Sequence, residues 1–265
     1  MRCVRQTCGP PVDVVDSTLS YSADMDSPAR AERPHVLVTG ASRGIGAALV
    51  ERFLAAGDRV FGCGRTADHP AAEGYRHFAV DVADADAVRD MFKEIRKDAG
   101  GLDLLVNNAG IARMNVVALT PAADARKVVE TNVLGTFYCT TQAIRLLRNS
   151  DTPRIVNLST VAVPLRLEGE AIYAASKAAV EMLTRVTAKE VGPWGITCNA
   201  VGPSPVKTRL TANVPEATIE GLVKRQALAE WLTPLVQTLE PVILGVAPFA
   251  AAIDGTPAEQ ESLEI

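Results

Sequence analysis

The sequence predicts an α/β fold: one doubly wound domain with a mostly parallel sheet, six clear strands and an atypical carboxyl-terminal end. Three observations predict it. From His35 onward, apolar runs of strand length alternate with longer amphipathic segments, the pattern of right-handed βαβ crossovers. The strand-length runs are apolar nearly throughout, as strands covered on both faces should be. The runs end on Gly40, Gly64/Arg65, Asp81, Asn107–Gly110, Ser159/Thr160 and Gly202–Thr208, and in such folds ligands sit outside the carboxyl ends of the strands.

The elements follow in order. HVLVTG (35–40) is a strand closed by glycine, and GAALVERFLAAG (46–57) has helical apolar spacing and a glycine stop. DRVFGCG (58–64) and YRHFAVDV (75–82) are the second and third strands. DADAVRDMFKEIRKDAG (84–100) is a helix with acids in its first turn and bases in its last, as the helix dipole favours. LDLLVNNAG (102–110) is the fourth strand with its turn, and residues 121–149 form one or two helices. RIVNLST (154–160) is the fifth strand, YAASKAAVEMLTRVTAKEV (173–191) a long helix, and GITCNAVG (195–202) the sixth strand. No internal repeat is present.

Residues 1–33 are polar, rich in Pro, Ser and Asp, and lack hydrophobic periodicity, so they are expected to be a disordered extension. They have no apolar core of a secretory signal, and Asp13, Asp16, Asp24 and Asp26 do not suit a transit peptide. Met25 offers an alternative start. The folded domain is expected over 34–253, with a helical lid at about 209–235 and a polar tail over 254–265. After Thr208 no clear final strand follows; either the sheet edge is built differently or the reading frame changes near Pro234.

Composition narrows the function. The 265 residues are 48% hydrophobic and 22% charged with net charge −4, which is ordinary for a globular domain. No basic stripe points to nucleic acid, and no apolar run nears the ~20 residues of a membrane helix. Cys63, Cys139 and Cys198 sit in apolar segments; Cys3 and Cys8 have no Cys/His set of zinc spacing after them, and His35, His69 and His77 are scattered. No metal is expected, and a reducing cytoplasm fits best.

TGASRGIG (39–46) lies between the first strand and the first helix. Gly40, Gly44 and Gly46 let the backbone turn tightly and approach a pyrophosphate at the helix amino end, where N–H groups and the dipole favour anions. Gly40, Ser42, Arg43, Gly44 and Ile45 are the candidate cofactor contacts of this loop. A site for NAD(H) usually puts an acid at the end of the second strand to accept from the ribose hydroxyls. Here that place holds Gly64, followed by Arg65. A 2′-phosphate suits arginine forks, and Arg43 is a second cation nearby, so NADP(H) is expected over NAD(H).

Tyr173 and Lys177 are four apart and share a helix face. A phenol ordinarily ionises near pH 10, and a nearby ammonium favours the phenolate. The pair suits proton transfer in a carbonyl/alcohol interconversion. The bland alternative is a tyrosine on the core face with a lysine on its rim.

The motifs taken together resemble the short-chain dehydrogenase/reductase family, in the branch marked by TGxxxGxG and YxxxK. TGASRGIG, DV (81–82), NNAG (107–110), ETN (130–132), NLST (157–160) and YAASK (173–177) fall in the family's order over residues 35–208. The flavour is loosely that of 3-oxoacyl-carrier-protein reductases. The resemblance implies a Rossmann-type domain. It implies that Asp81 and Val82 meet the adenine. Asn107, Ala109 and Gly110 would form the turn that passes the cofactor ribose, with Asn108 among the contacts. Asn132 would hold a water linking the lysine to solvent. Tyr173 would be the general acid in reduction and Lys177 its partner. In GPSPVKT (202–208), Pro203, Val206 and Thr208 match the loop beside the nicotinamide, while Ser204 stands where the family commonly has Gly.

The family's active-site serine usually lies thirteen positions before the tyrosine, which is Thr160 here. Ser159 lies one further back and would point to the other strand face. One residue inserted in VAVPLRLEGEAI (161–172) would restore Ser159 instead. The resulting expectation is an NADPH-dependent enzyme reducing a ketone or aldehyde, of 3-oxoacyl or other small type, or running in reverse. Its catalytic residues would be Asn132, Thr160, Tyr173 and Lys177. The alternative is a weakly catalytic NADP(H)-binding sensor or scaffold. The partner is a small molecule, and a homo-oligomer, dimer or tetramer, is left open by the unusual carboxyl end.

Overall fold

The computed structural model describes residues 33–66 and 72–203. Six strands form one parallel sheet: β1 (His35–Thr39), β2 (Arg59–Gly64), β3 (Tyr75–Ala79), β4 (Leu104–Asn107), β5 (Arg154–Leu158) and β6 (Thr197–Val201). Their spatial order is β3-β2-β1-β4-β5-β6. The order reverses between β1 and β4, and that switch point is where a doubly wound sheet opens a crevice for a ligand.

Helices cover both faces because alternate strand residues point to opposite sides. On one face, Leu37, Phe61, Leu105 and Ile155 pack with Met91, Phe92 and Ile95 of α2 (Ala85–Ala99) and Cys139, Ala143 and Leu147 of α4 (Gly135–Leu147). On the other, Val36, Val38, Val60, Val106 and Val156 pack with Leu49, Val50 and Phe53 of α1 (Gly44–Ala55). The cysteines 63, 139 and 198 are buried and unbridged, as small core hydrophobes.

Several boundaries differ from the sequence expectation, each for a local reason. The first helix begins at Gly44, so the last turn of the glycine loop is already helical. The third strand stops at Ala79; Asp81 and Val82 lie beyond it in the turn into α2, whose amino end Asp84 caps through Asp86 N and Ala87 N, both 3.0 Å. Residues 121–149 resolve into α3 (Ala122–Val129), a π turn over Glu130–Leu134, and α4, with helical dihedrals throughout. Strand β5 ends at Leu158, so Ser159 and Thr160 both lie just past it, and a short helix, α5 (Ala162–Leu165), follows. The long helix α6 spans Ala171–Val191 and starts two residues before Tyr173.

No helix among the described residues is long and apolar enough to cross a membrane, and none of their His, Cys, Asp and Glu gather in threes able to hold a metal. Val206 and Thr208, the expected lid at 209–235, the polar tail and residues 1–32 of the expected extension lie outside the described residues.

Candidate active site

The crevice at the switch point is built by stitching β1 to β4. The Thr39 hydroxyl accepts from the backbone N–H of Asn108 and of Ala109, both at 3.0 Å. In return the Asn108 amide donates to the carbonyls of Thr39 (2.9 Å) and Gly40 (3.1 Å). This bracing needs glycine at both ends. A Cβ on Gly40 would lie 2.9 Å from Ala109 Cα, and one on Gly46 would lie 2.2 Å from the Gly40 carbonyl oxygen. Gly40 and Gly44 also take positive φ, +66° and +56°, where a side chain is strained.

The loop fits the pyrophosphate of a dinucleotide. Arg43 caps α1 with extended backbone and makes no side-chain cap bond, and the first turn holds no acid. The leading N–H groups and the positive end of the helix dipole therefore face the loop uncompensated by side chains. Ser42, Arg43 and Gly44 are exposed there, while Ile45 is half-buried against the core.

At the end of β2 stand Gly64 and the exposed Arg65, with no acid at either position. Asp81 is exposed, its carboxylate accepting from Ala83 N at 3.0 Å, and Val82 is buried against Gly135.

Across the crevice, Tyr173 in the first turn of α6 is 8% exposed, with the Thr160 hydroxyl near enough to bear on its ionisation. The Thr160 hydroxyl accepts from Ala162 N at 3.2 Å, which fixes its rotamer. Burial pushes the Tyr173 phenol up to about 12; the neighbouring Thr160 hydroxyl opposes this and Glu170 adds to it. Lys177, one turn on, is buried and donates to the Leu158 carbonyl at 2.6 Å. Burial brings its ammonium down to about 8. The sequence expectation of a phenol depressed by Lys177 is therefore not what this arrangement gives. The ammonium is engaged with β5, and desolvation dominates both groups.

Asn132 sits in the π turn, fully buried. Its amide nitrogen donates to the Ile111 carbonyl and to Ser176 Oγ, both 2.9 Å, and its amide oxygen accepts from Ile111 N at 2.8 Å. Ser176 Oγ donates in turn to the Tyr173 carbonyl at 2.7 Å. Asn132 thus pins the chain after Gly110 to the turn of α6 that carries both Tyr173 and Lys177. A π bulge at such a position is typical of functional sites. A Cβ on Gly110 would sit 3.4 Å from both Asn132 Oδ1 and Lys177 Nζ, so glycine there keeps this corner open.

Ser159 goes the other way. Its hydroxyl donates to the Glu181 carboxylate, and its N–H to the Val201 carbonyl at 2.7 Å. Of the two neighbouring hydroxyls, Thr160 faces the tyrosine and Ser159 faces α6 beyond the lysine. Gly202 packs against the Thr160 main chain, 3.3 Å from it at the position of a Cβ.

Sequence reasoning missed Thr39, Ser176 and Glu181. Thr39 was in the glycine motif, but its partners are 69 and 70 residues away. Ser176 and Glu181 carried a usable signal: they lie three after Tyr173 and four after Lys177, on the same side of one helix.

Comparison with known proteins agrees with this geometry. A family profile described as short chain dehydrogenase matches residues 34–218. The 3-oxoacyl-acyl-carrier-protein reductase FabG of Staphylococcus aureus is 36% identical over 205 residues, covering 74% of this chain and 83% of its own. A 3-oxoacyl-acyl-carrier-protein reductase of Synechocystis is 34% identical over 229 residues, covering 83% and 92%. Among solved structures, ligand-free aldohexose dehydrogenase of Thermoplasma acidophilum superposes with TM-score 0.65 at 32% identity, over 72% of this chain and 76% of that one. A tyrosine-to-phenylalanine variant of ElxO with NADPH bound gives TM-score 0.68 at 27% identity, over 76% and 86%.

Proposed function

The chain belongs to the short-chain dehydrogenase/reductase family, and from that premise we propose that it is an NADPH-dependent reductase of a small ketone or aldehyde, a 3-oxoacyl group among the candidates, able to run in reverse. Membership makes it an oxidoreductase that uses a nicotinamide cofactor. The observation that carries the finer reading is the placing of the Thr160 hydroxyl by the buried Tyr173, with Lys177 one turn away on the Leu158 carbonyl.

The bound cofactor supplies the hydride. The chain's own residues handle the oxygen and the proton. Thr160 hydrogen-bonds the substrate carbonyl oxygen and holds it within reach of the Tyr173 hydroxyl. Tyr173 gives that oxygen its proton, completing the alcohol. Such a positioned acid contributes about 10²–10⁴-fold. The tyrosine is restored by a proton from solvent, passed along Lys177 and the Asn132 corner. With its value near 8, Lys177 exchanges protons readily around neutrality. Lys177 would also hold the ribose hydroxyls, and the Gly40–Ile45 loop the pyrophosphate. The outward-facing apolar side chains Leu134 and Phe137 of the π turn and α4, with Met182 and Val186 of α6, support a homo-oligomer.

Preference for NADPH rests on the glycine at the end of β2 and on Arg65 and Arg43 beside it. A panel of ketones, aldehydes and alcohols, followed by NADPH absorbance, tests the activity. Reduction by the wild type that vanishes in Tyr173→Phe is expected. Tight NADPH binding with no turnover on any member would instead favour a sensor.

A further inference from the structure

The face of β2 that meets the glycine loop is cut back to backbone at Gly62 and Gly64, and the space is filled from the edge strand. A Cβ on Gly62 would lie 2.1 Å from the Tyr75 hydroxyl and 2.8 Å from Ala41 Cβ. A Cβ on Gly64 would lie 2.3 Å from Ser42 Oγ and 3.6 Å from the His77 ring. In the parallel pairing His77 stands opposite Gly62 and Tyr75 opposite Val60, so Tyr75 and His77 share that face.

The two rings make a directed chain. His77 Nε2 lies 3.1 Å from the Thr66 carbonyl oxygen, and Nδ1 lies 2.7 Å from the Tyr75 hydroxyl. A carbonyl only accepts, so Nε2 carries the proton; in the neutral ring Nδ1 then accepts from Tyr75. Thr66 directly follows Arg65. His77 therefore holds the main chain next to the cation that stands where β2 leaves the sheet.

We propose that His77 is a specificity-determining residue for the cofactor: by fastening the Thr66 carbonyl to β3, it keeps Arg65 beside the glycine loop, where the guanidinium meets the 2′-phosphate of NADP(H). This rests on the NADPH reading above. His77 acts through Arg65 and touches no reacting atom, so it is a positioning residue. Its loss weakens only the cofactor that bears the phosphate.

Calorimetric titration of the full chain with NADPH and with NADH tests it, since binding is read without turnover. His77→Phe keeps a ring in the space and removes the bond to Thr66. A neutral hydrogen bond of that kind corresponds to an about three- to ten-fold weaker NADPH affinity. NADH affinity is expected to stay within about two-fold, as no bond to a shared part of the two cofactors is removed. His77→Gln restores a donor and is expected to recover part of the loss. The double variant with Arg65→Ala should bind NADPH no more weakly than Arg65→Ala alone. Equal weakening of both cofactors, no weakening of NADPH, or additive loss in the double variant overturns the role of His77. Where His77→Phe binds neither cofactor, His77→Gln decides on the same criteria. A wild type and Arg65→Ala with the same NADPH/NADH ratio would remove the NADPH reading itself, a failure that the Arg65 titration alone identifies.

Discussion

Thr160 and Ser159 differ by one position and by about half a turn of direction, and that difference divides their expected effects. Thr160→Ala removes the hydroxyl beside Tyr173 that is proposed to hold the substrate oxygen, so kcat should fall by about 10²-fold with the NADPH KM little changed, the pattern of a lost transition-state contact. Ser159→Ala removes a tether between the strand end and Glu181 of α6. It should lower Tm and reduce kcat only several-fold, because Tyr173, Lys177 and Thr160 all remain. Steady-state kinetics on the two variants separates them; if Ser159→Ala alone abolishes turnover, the register of the active hydroxyl is the other one. Counting back from Tyr173 singled out Thr160 as the candidate, with Ser159 open if one residue is inserted between them. What no count could supply was the partner of Ser159, because Glu181 approaches it only when α6 lies along β5.

Between elements, the close approaches fall on glycines and buried amides. Gly135 opens α4, and a Cβ there would lie 2.7 Å from Val82 Cγ2 and 3.2 Å from the Val82 carbonyl. Exchanging glycine for alanine in a helix ordinarily gains about 1 kcal/mol. Overpacking against a buried valine costs about 1–3 kcal/mol, so Gly135→Ala is expected to destabilise, read as a lower urea midpoint. The ends of β4 and β5 are joined by facing asparagines. Asn107 donates to Asn157 Oδ1 (2.8 Å) and Thr140 Oγ1 (3.1 Å), and Asn157 donates to Thr184 Oγ1 of α6 (2.8 Å). Asn157→Leu leaves these groups short of partners within the core and should cost about 1–3 kcal/mol in urea unfolding. The order and type of the elements were legible because the apolar pattern switches between strand and helix periods. The π turn was not: its residues have helical dihedrals and helical spacing, and only the hydrogen-bond pattern around Asn132 distinguishes it.

At the scale of the whole molecule, the buried titratable groups set an alkaline stability profile. Lys177 has a folded value near 8, below its ordinary 10.5, so between those values the unfolded chain binds the extra proton and stability rises with pH. Cys63 and Cys198 are raised from 9.0 to about 12, and Tyr75 and Tyr173 from 10.0 to about 12. The unfolded chain loses those protons first, so their contribution is complete below pH 9 and is lost above it. The urea midpoint should climb slightly from pH 8 to 9 and then fall, several groups outweighing one; Lys177→Met should abolish the climb and keep the fall. The sequence by itself determined the doubly wound α/β class and the expectation of a ligand outside the carboxyl ends of the strands, and it named the residues proposed for the chemistry. Each of those is written in local periodicity, in glycine spacing or in a count along one helix. Only the tertiary structure decided that Lys177 lies on the Leu158 carbonyl, that burial raises the Tyr173 phenol, and that Thr39, Asn108 and Asn132 lock the crevice. The reason is physical: desolvation and hydrogen bonding depend on groups tens of residues apart in the chain, which no pattern of neighbours encodes.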